Sequence, residues 1–315
     1  MRAILIHNPD AASGTAAGET AVLALLRDAG YDTAIGSLGD QNWEKGLAAD
    51  DIVVASGGDG TISKVAGRLA GQPAAIAILP RGTANNVARS LGLLGMSLAQ
   101  LIESWATADR CRVDLGRISG IRGPEYFLEG VGVGLYADIM ARLNATDNAG
   151  IAHLETPDKL LEMIAILRHG LQERAPVPIH GTLDERDISG DYLLIEALNF
   201  PFIGPNLKLA PQADPGDGQL DVVLVPETAR SALDVYLARC LSGAADVPAD
   251  LPVLRGRRLQ LHGVGGCIHL DGITPAAGTC SGSGILRIEV SDRHVTLLVP
   301  SDGIPTTPRR QPTGA

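Results

Sequence analysis

Residues 51–61 read Asp-Ile-Val-Val-Ala-Ser-Gly-Gly-Asp-Gly-Thr: an apolar run of strand length breaks into glycines and restarts as a helical pattern. A continuous apolar run, rather than an alternating one, belongs to a strand buried on both faces, as in a parallel sheet. The same strand–loop–helix unit recurs on either side. Residues 3–6 form a β-rich run that ends in His7-Asn8-Pro9, with Ser13-Gly14 in the following loop and a helix over 19–29. Residues 75–79 (Ala-Ile-Ala-Ile-Leu) lead through Pro80-Arg81-Gly82-Thr83 into a helix over 83–90, and the central unit continues as a helix over 61–70. Three such units predict a doubly wound parallel sheet covered by helices on both faces. All three loops then lie at the carboxyl ends of the strands, where such sheets bind ligands.

Past Val113-Asp114-Leu115 the texture changes to short strands bounded by Gly, Pro and Asp, at 126–133, 191–199, 220–225, 258–261, 285–290 and 295–299. This pattern predicts a mostly antiparallel β-sandwich. One helix interrupts it, with Thr156 as N-cap, Pro157 at the first position and an apolar face over 159–171. The expected organisation is an α/β domain over 1–115, a β-sandwich over 116–302 and a disordered Pro/Thr/Arg-rich tail over 303–315. A length of 315 residues accommodates two domains. With 45% hydrophobic but only 3% aromatic residues, their cores must be built from Ala, Val, Leu and Ile.

A net charge of −10 excludes non-specific nucleic-acid binding, which requires a basic surface. The basic triplet Arg255, Arg257 and Arg258 is read as a solvated face. Cys111, Cys240, Cys267 and Cys280 contain no C-x-x-C and suit a reducing cytoplasm. The first residues carry too short an apolar run for a signal peptide, and no stretch approaches the roughly 18 apolar residues of a spanning helix. The expected location is cytoplasmic.

The loops carry the chemistry. Gly57, Gly58 and Gly60 let backbone approach a phosphate and leave unpaired N–H groups at a helix start. Thr61 can donate to a phosphate oxygen or cap the helix. Asp59 beside an anion requires Mg2+ or an ordered network between them. The plainer alternative is a glycine-rich turn with Asp59 and Thr61 as helix caps. A second loop of the same kind, with Gly82-Thr83 and the charges of Arg81 and Arg89, points to a nucleotide site.

Asn8-Pro9 with Ser13-Gly14, Gly57-Gly58-Asp59-Gly60-Thr61, and Leu79-Pro80-Arg81-Gly82-Thr83-Ala84-Asn85 resemble, in order and spacing, the diacylglycerol kinase-like lipid kinases. The match continues through Val113-Asp114-Leu115, residues 127–137, Leu209-Ala210-Pro211, Asp217-Gly218-Gln219-Leu220-Asp221 and Asp271-Gly272. The resemblance implies a first domain of the phosphofructokinase/NAD kinase type. It also implies an ATP- and Mg2+-dependent kinase that phosphorylates a hydroxyl of diacylglycerol or a similar lipid held between the domains. Nucleotide contacts would come from Asn8, Asn42, Gly57, Gly58, Asp59, Gly60, Thr61, Ile62, Ser63, Gly82, Thr83 and Asn85. A metal would lie near Asp214, Asp217 and Gln219, held partly by carbonyls. Transient contact with a membrane surface and a homodimer are both compatible with the resemblance.

One departure bears on activity. The family's Asp-Gly-Glu, whose Glu is the proposed general base, reads Asp271-Gly272-Ile273 here. Loss of a positioned base costs on the order of 10²–10⁴-fold in rate. Asp271 or Asp114 is the candidate replacement, with Asp59 organising phosphate and metal; Asp271 as a hairpin-turn residue is the alternative. Milder departures are Asn86 and Tyr136, where many members have Asp. A non-catalytic nucleotide- or lipid-binding relative is the second functional reading, and a soluble-substrate kinase of the NAD kinase type the third. Gly132-Val133-Gly134-Leu135-Tyr136-Ala137 also fits a dinucleotide turn, but no βαβ unit follows it. His262, Cys267, His269 and Cys280 have no compact zinc-ligand spacing.

Overall fold

The structure is a computed structural model that describes residues 1–8, 16–40, 42–123, 125–145, 151, 154–243, 248–264, 266–273 and 284–301. Pro9, Ser13, Gly14, Cys280 and the 303–315 tail lie outside the described residues. Two compact units result, one of Met1–Val113 with the chain from Val295, the other of Asp114–His294.

In the first unit the elements are β1 (Arg2–His7), α1 (Ala16–Asp28), β2 (Asp32–Ser37), β3 (Ile52–Gly57), α2 (Asp59–Arg68), β4 (Ala75–Pro80), α3 (Asn86–Ser90) and α4 (Leu98–Ser104). The strands pair in the order β2-β1-β3-β4, all parallel. Thr296 and Leu297, near the end of the chain, add a parallel strand beside Ala75 and Ile76. The apolar runs of β3 and β4 are buried as expected, with Ile52, Val53, Val54 and Ala55 all at 0% exposure. β2 was not anticipated. It is an edge strand of sequence Asp-Thr-Ala-Ile-Gly-Ser, mostly half-exposed, and so lacks an apolar run. The helix predicted over 83–90 begins only at Asn86, because Asn85 is left-handed with φ of 53°.

The second unit contains β5 (Asp109–Ser119, entered from the first unit), β6 (Tyr126–Phe127), β7 (Gly130–Gly134), α5 (Leu135–Ala145), α6 (Thr156–Glu173), β8 (Val177–Leu183), β9 (Arg186–Asp187) and β10 (Gly190–Leu198). There follow β11 (Phe202–Ile203), β12 (Leu207–Lys208), β13 (Leu220–Pro226), α7 (Arg230–Leu241), β14 (Val253–Gly256), β15 (Arg258–His262), β16 (Ile268–Leu270) and β17 (Ile285–Val299), whose last residues return to the first unit. Antiparallel pairing runs β14-β13-β10-β8-β15-β17, and β7 joins β10 to β16. The side chains of β13 alternate between two cores. Leu220, Val222 and Leu224 face the interior between strands, while Val223 and Val225 face α5, α6 and α7. Helices α5 and α7 correct the expectation of a single helix in this part. Their Leu135/Ile139 and Leu233/Tyr236/Leu237/Cys240 spacings are helical stripes buried on that second core.

One row across β10, β7 and β16 reads Glu196, Gly132, His269. The glycine leaves room for the outer two side chains to meet above it. His269 Nε2 lies 2.6 Å from Glu196 Oε2, both side chains fully buried, and the Tyr136 ring meets the imidazole edge-on at 4.7 Å between centroids. A Cβ on Gly132 would overlap the carboxylate. Gly134, at φ of 97°, lies against the Leu193 carbonyl. These glycines therefore answer to packing in an antiparallel sheet rather than to a dinucleotide turn.

Asp51 fastens the entry to β3. Its carboxylate accepts from Arg2 Nε at 3.1 Å and from the Ala48 N–H at 2.8 Å, and pairs with the Arg2 Nη2. The Arg2 hydrogen bond, set against the cost of burial, holds its carboxyl below the usual carboxylate range. A depressed folded-state pKa contributes stability at neutral pH that is lost as pH falls through that value. Asp51→Asn should cost about 1–2 kcal/mol at neutral pH by urea unfolding, the exposed side of Arg2 screening part of the pair. The gap to wild type should close as pH falls through and below the ordinary carboxylate range; a gap independent of pH would assign the cost to packing.

Candidate functional site

Because β3 and β4 are parallel neighbours, with Gly57 opposite Pro80, the two glycine turns leave the sheet side by side. They are in backbone contact: a Cβ on Gly58 would stand 2.9 Å from the Gly82 Cα. A Cβ on Gly57 would stand 2.6 Å from Thr61 Oγ1. Gly58 is the N-cap of α2 and has no side chain to offer its amides. The first-turn N–H groups of any helix lack intrahelical acceptors. The Asn85 side chain clamps the second turn as a peptide would, with Oδ1 accepting from the Gly82 N–H and Nδ2 donating to the Gly82 carbonyl, both at 2.8 Å. Asp59 ties the turns together, since its Oδ1 accepts from the Val87 N–H in α3 at 3.1 Å. Asn8, at the end of β1, donates to Thr61 Oγ1 at 2.8 Å in a buried contact. Arg81 extends to the first turn of α1, where a Cβ on Gly18 would stand 2.5 Å from its Nη2.

Most of the predicted nucleotide residues lie in or beside these two turns, with Ile62 and Asn42 as the exceptions. Gly57, Gly58, Gly60, Gly82, Thr83 and Asn85 form or support the paired turns. Thr61, only 3% exposed, takes the Asn8 amide, and Ile62 is fully buried in the core. Ser63 is half-buried one residue further into α2. Asn42 is not brought to this cluster by any described contact. Its neighbours Asp40 and Glu44 bind Arg68, in the last turn of α2, at the opposite end of that helix from Gly58.

In the second unit the Asp-Gly turn is a hairpin corner. Asp271 and Gly272 have φ of 48° and 74°, and Leu270 and Ile273 exchange backbone hydrogen bonds of 2.7 and 2.8 Å. Positive φ at both central residues marks a type I′ turn. The Asp271 carboxylate is 7% exposed and accepts the N–H groups of Leu128 (2.8 Å), Glu129 (2.7 Å) and Gly130 (3.0 Å). This grip interrupts the strand expected over 126–133, which splits into β6 and β7. Asp114 is likewise a fastener: Oδ2 accepts from the Gly218 N–H at 2.8 Å, and its own N–H donates to the Pro215 carbonyl at 2.7 Å. As candidate bases, Asp271 and Asp114 are thus both committed to backbone amides.

The loop ahead of β13 does not fit a divalent cation held by side chains. Asp214 Oδ1 accepts from the Gly216 N–H at 3.0 Å, and Asp217 Oδ1 from the Gln219 N–H at 2.9 Å. Asp217 Oδ2 pairs with Arg255. Among the described residues no cluster of three or more His, Cys, Asp or Glu is disposed to bind a metal. Asp221, 2% exposed, has its carboxyl pushed up to about 6 by burial and by Asp214; Arg255 Nε, 3.8 Å away, lies beyond hydrogen-bond reach.

Residues 2–118 match the diacylglycerol kinase catalytic domain, and residues 137–299 match the YegS C-terminal NAD kinase beta sandwich-like domain. The chain belongs to the diacylglycerol kinase-like lipid kinase family. It is 26% identical over 234 residues to diacylglycerol kinase of Bacillus subtilis strain 168, covering 71% of this chain and 73% of that protein. To diacylglycerol kinase of Staphylococcus aureus strain JH9 it is 27% identical over 247 residues, 72% and 71% of the two chains. The fold matches the crystal structure of a diacylglycerol kinase from Bacillus anthracis strain Sterne with a TM-score of 0.70 at 19% identity, over 96% of this chain and 98% of that one. It also matches an ATP complex of an NAD kinase from Archaeoglobus fulgidus with a TM-score of 0.50 at 13% identity, over 96% and 94%. A kinase-like transferase with an α/β first domain and a sandwich second domain is thereby established.

For a lipid kinase of this family, two features escaped the sequence reading. Arg255 leaves the predicted solvated face to bind Asp217, a pairing set by the β13–β14 register. Glu196 had no motif around it, and only the row through Gly132 brings it to His269. Asn85→Ala should free the second turn: loss of two hydrogen bonds predicts a destabilisation of about 1–3 kcal/mol. The Gly82 amide should exchange with solvent faster by hydrogen–deuterium exchange. Unchanged exchange at Gly82 would show that the clamp is dispensable.

Proposed function

We propose that this chain transfers the γ-phosphoryl group of ATP, supplied as its Mg2+ complex, to a hydroxyl of diacylglycerol or a similar lipid. The observation that carries the reading is the backbone contact between the Gly58 and Gly82 turns at one edge of a parallel sheet. Glycine at both positions keeps side chains out of the contact. With the Gly82 N–H taken by Asn85, the first-turn amides of α2 beyond the Gly58 cap are the groups suited to neutralise phosphate oxygens. Arg81 adds support. A guanidinium at the amino end of a helix is opposed by the helix dipole unless an anion lies between them. The order β2-β1-β3-β4 also places the β1 and β3 ends at the switch point of the sheet, where ligands of such folds bind.

Phosphoryl transfer depends chiefly on positioning and charge neutralisation, so turnover survives without a strong base, but slowly. Ile273 occupies the position of the family's Glu and is 40% exposed, free of the core. The non-catalytic reading draws on the same residue, together with the engagement of Asp271 by three amides. The lipid would be met by transient contact with a membrane surface from the cytoplasm; among the described residues no helix is long and apolar enough to cross a membrane.

An ADP-release assay with ATP, Mg2+ and a panel of lipids separates the readings. The kinase reading expects lipid-stimulated release, and Ile273→Glu should raise kcat by about 10²-fold. ATP binding by calorimetry with no release above background in either protein would support the binding-only reading instead. Gly82→Ala drives a Cβ into the Gly58 backbone and should weaken ATP binding at least about tenfold, or 1.4 kcal/mol. Undiminished affinity would remove the paired turns from the nucleotide site.

A further inference from the structure

The poor fit of the loop ahead of β13 to a divalent metal has a specific cause. Arg255 lies directly opposite Asp221 in the β13–β14 ladder. From the edge strand its guanidinium reaches back to Asp217 Oδ2, and its Nε stands 3.8 Å from Asp221 Oδ2. Arg257 donates through Nη1 to the Gly218 carbonyl at 2.7 Å. Gly218 is held from its other side by Asp114 and has φ of 76°; a Cβ there would stand 2.9 Å from Arg257 Nη1. Four further oxygens of the loop are matched within the chain. The Pro215 carbonyl accepts from Asp114 N–H at 2.7 Å, and the Asp214 carbonyl from Asp217 N–H at 3.3 Å. Asp214 Oδ1 and Asp217 Oδ1 accept from Gly216 and Gln219.

We propose that Arg255, seconded by Arg257, is the resident cation of this loop and orders it without a divalent metal. A Mg2+ ion demands near-octahedral oxygen ligands at about 2.0–2.1 Å. Here the same oxygens are offered N–H donors instead. A guanidinium supplies five such donors in a fixed plane and is charged at every relevant pH. Because it is covalently attached, the order of the loop does not follow the metal concentration. The Asp217-Gly218-Gln219-Leu220-Asp221 block is retained, yet the Asp217 carboxylate serves a side chain of the next strand.

The test uses the full chain with neither nucleotide nor lipid, so its outcome is independent of the kinase reading. Thermal unfolding of wild type should be unchanged between EDTA and millimolar Mg2+ or Ca2+. A native metal at a hundredfold excess over its Kd would instead raise Tm by roughly 5–10 °C. Arg255→Ala should melt several degrees lower in EDTA and recover with added Mg2+ or Ca2+, which fill the vacated charge. A metal-dependent rise in wild type that Asp217→Asn abolishes would overturn the proposal. So would an Arg255→Ala variant that melts like wild type in EDTA, or one that is destabilised but blind to divalent cations. Should that variant fail to fold, calorimetric titration of wild type with Mg2+ decides: no heat of binding supports the resident guanidinium, and stoichiometric binding lost in Asp217→Asn refutes it.

Discussion

The first unit depends on how closely two backbones can approach. β3 and β4 are neighbours in register, so the turns that leave them must either diverge or touch, and here they touch at Gly58 and Gly82. A side chain at either position would stand between them. Around that contact the polar side chains act as ties: Asn85 closes its own turn, Asp59 reaches α3, and Asn8 holds Thr61. The chemistry assigned to the site follows from this arrangement, because amides can converge only where side chains are missing and the turns cannot drift.

In the second unit, carboxylates serve as anchors for main chain. Asp271 gathers three consecutive amides and Asp114 takes the amide of Gly218. Asp184 takes those of Arg257 and Arg258. In each case the strand ladder stops and leaves N–H groups that must find acceptors on burial. A short acidic side chain is suited to that task. The Asp271-Gly272 pair therefore marks a strand termination here. The buried Glu196–His269 contact differs in kind, since it lies among apolar side chains and exists only because Gly132 yields the space. Removing one partner leaves the other's buried polar atom without its hydrogen bond, at a cost of about 1–3 kcal/mol.

Much of the architecture was legible because its signals are local. The apolar runs at 52–55 and 75–79 are buried on both faces, and the glycine turns follow them as the pattern requires. Elements whose residues are not uniformly apolar were missed: β2, an edge strand, and α5 and α7, whose stripes are interspersed with Arg and Asp. The paired turns were legible as two motifs. Asn42 was placed with them on family likeness alone, and the described contacts put its neighbours at the far end of α2.

The sequence by itself determined the alternation of strand, glycine turn and helix, and with it the family. It also determined the absence of a titratable side chain at position 273. Those are properties of neighbours along the chain. Tertiary structure alone decided which oxygen meets which N–H: Asp217 with Arg255, Glu196 with His269, Asp271 with the amides at the β6–β7 break. These partners lie tens of residues apart, and their pairing is fixed by strand register. Register is a collective result of burying one face of every strand at once, and it leaves no mark at either partner's own position.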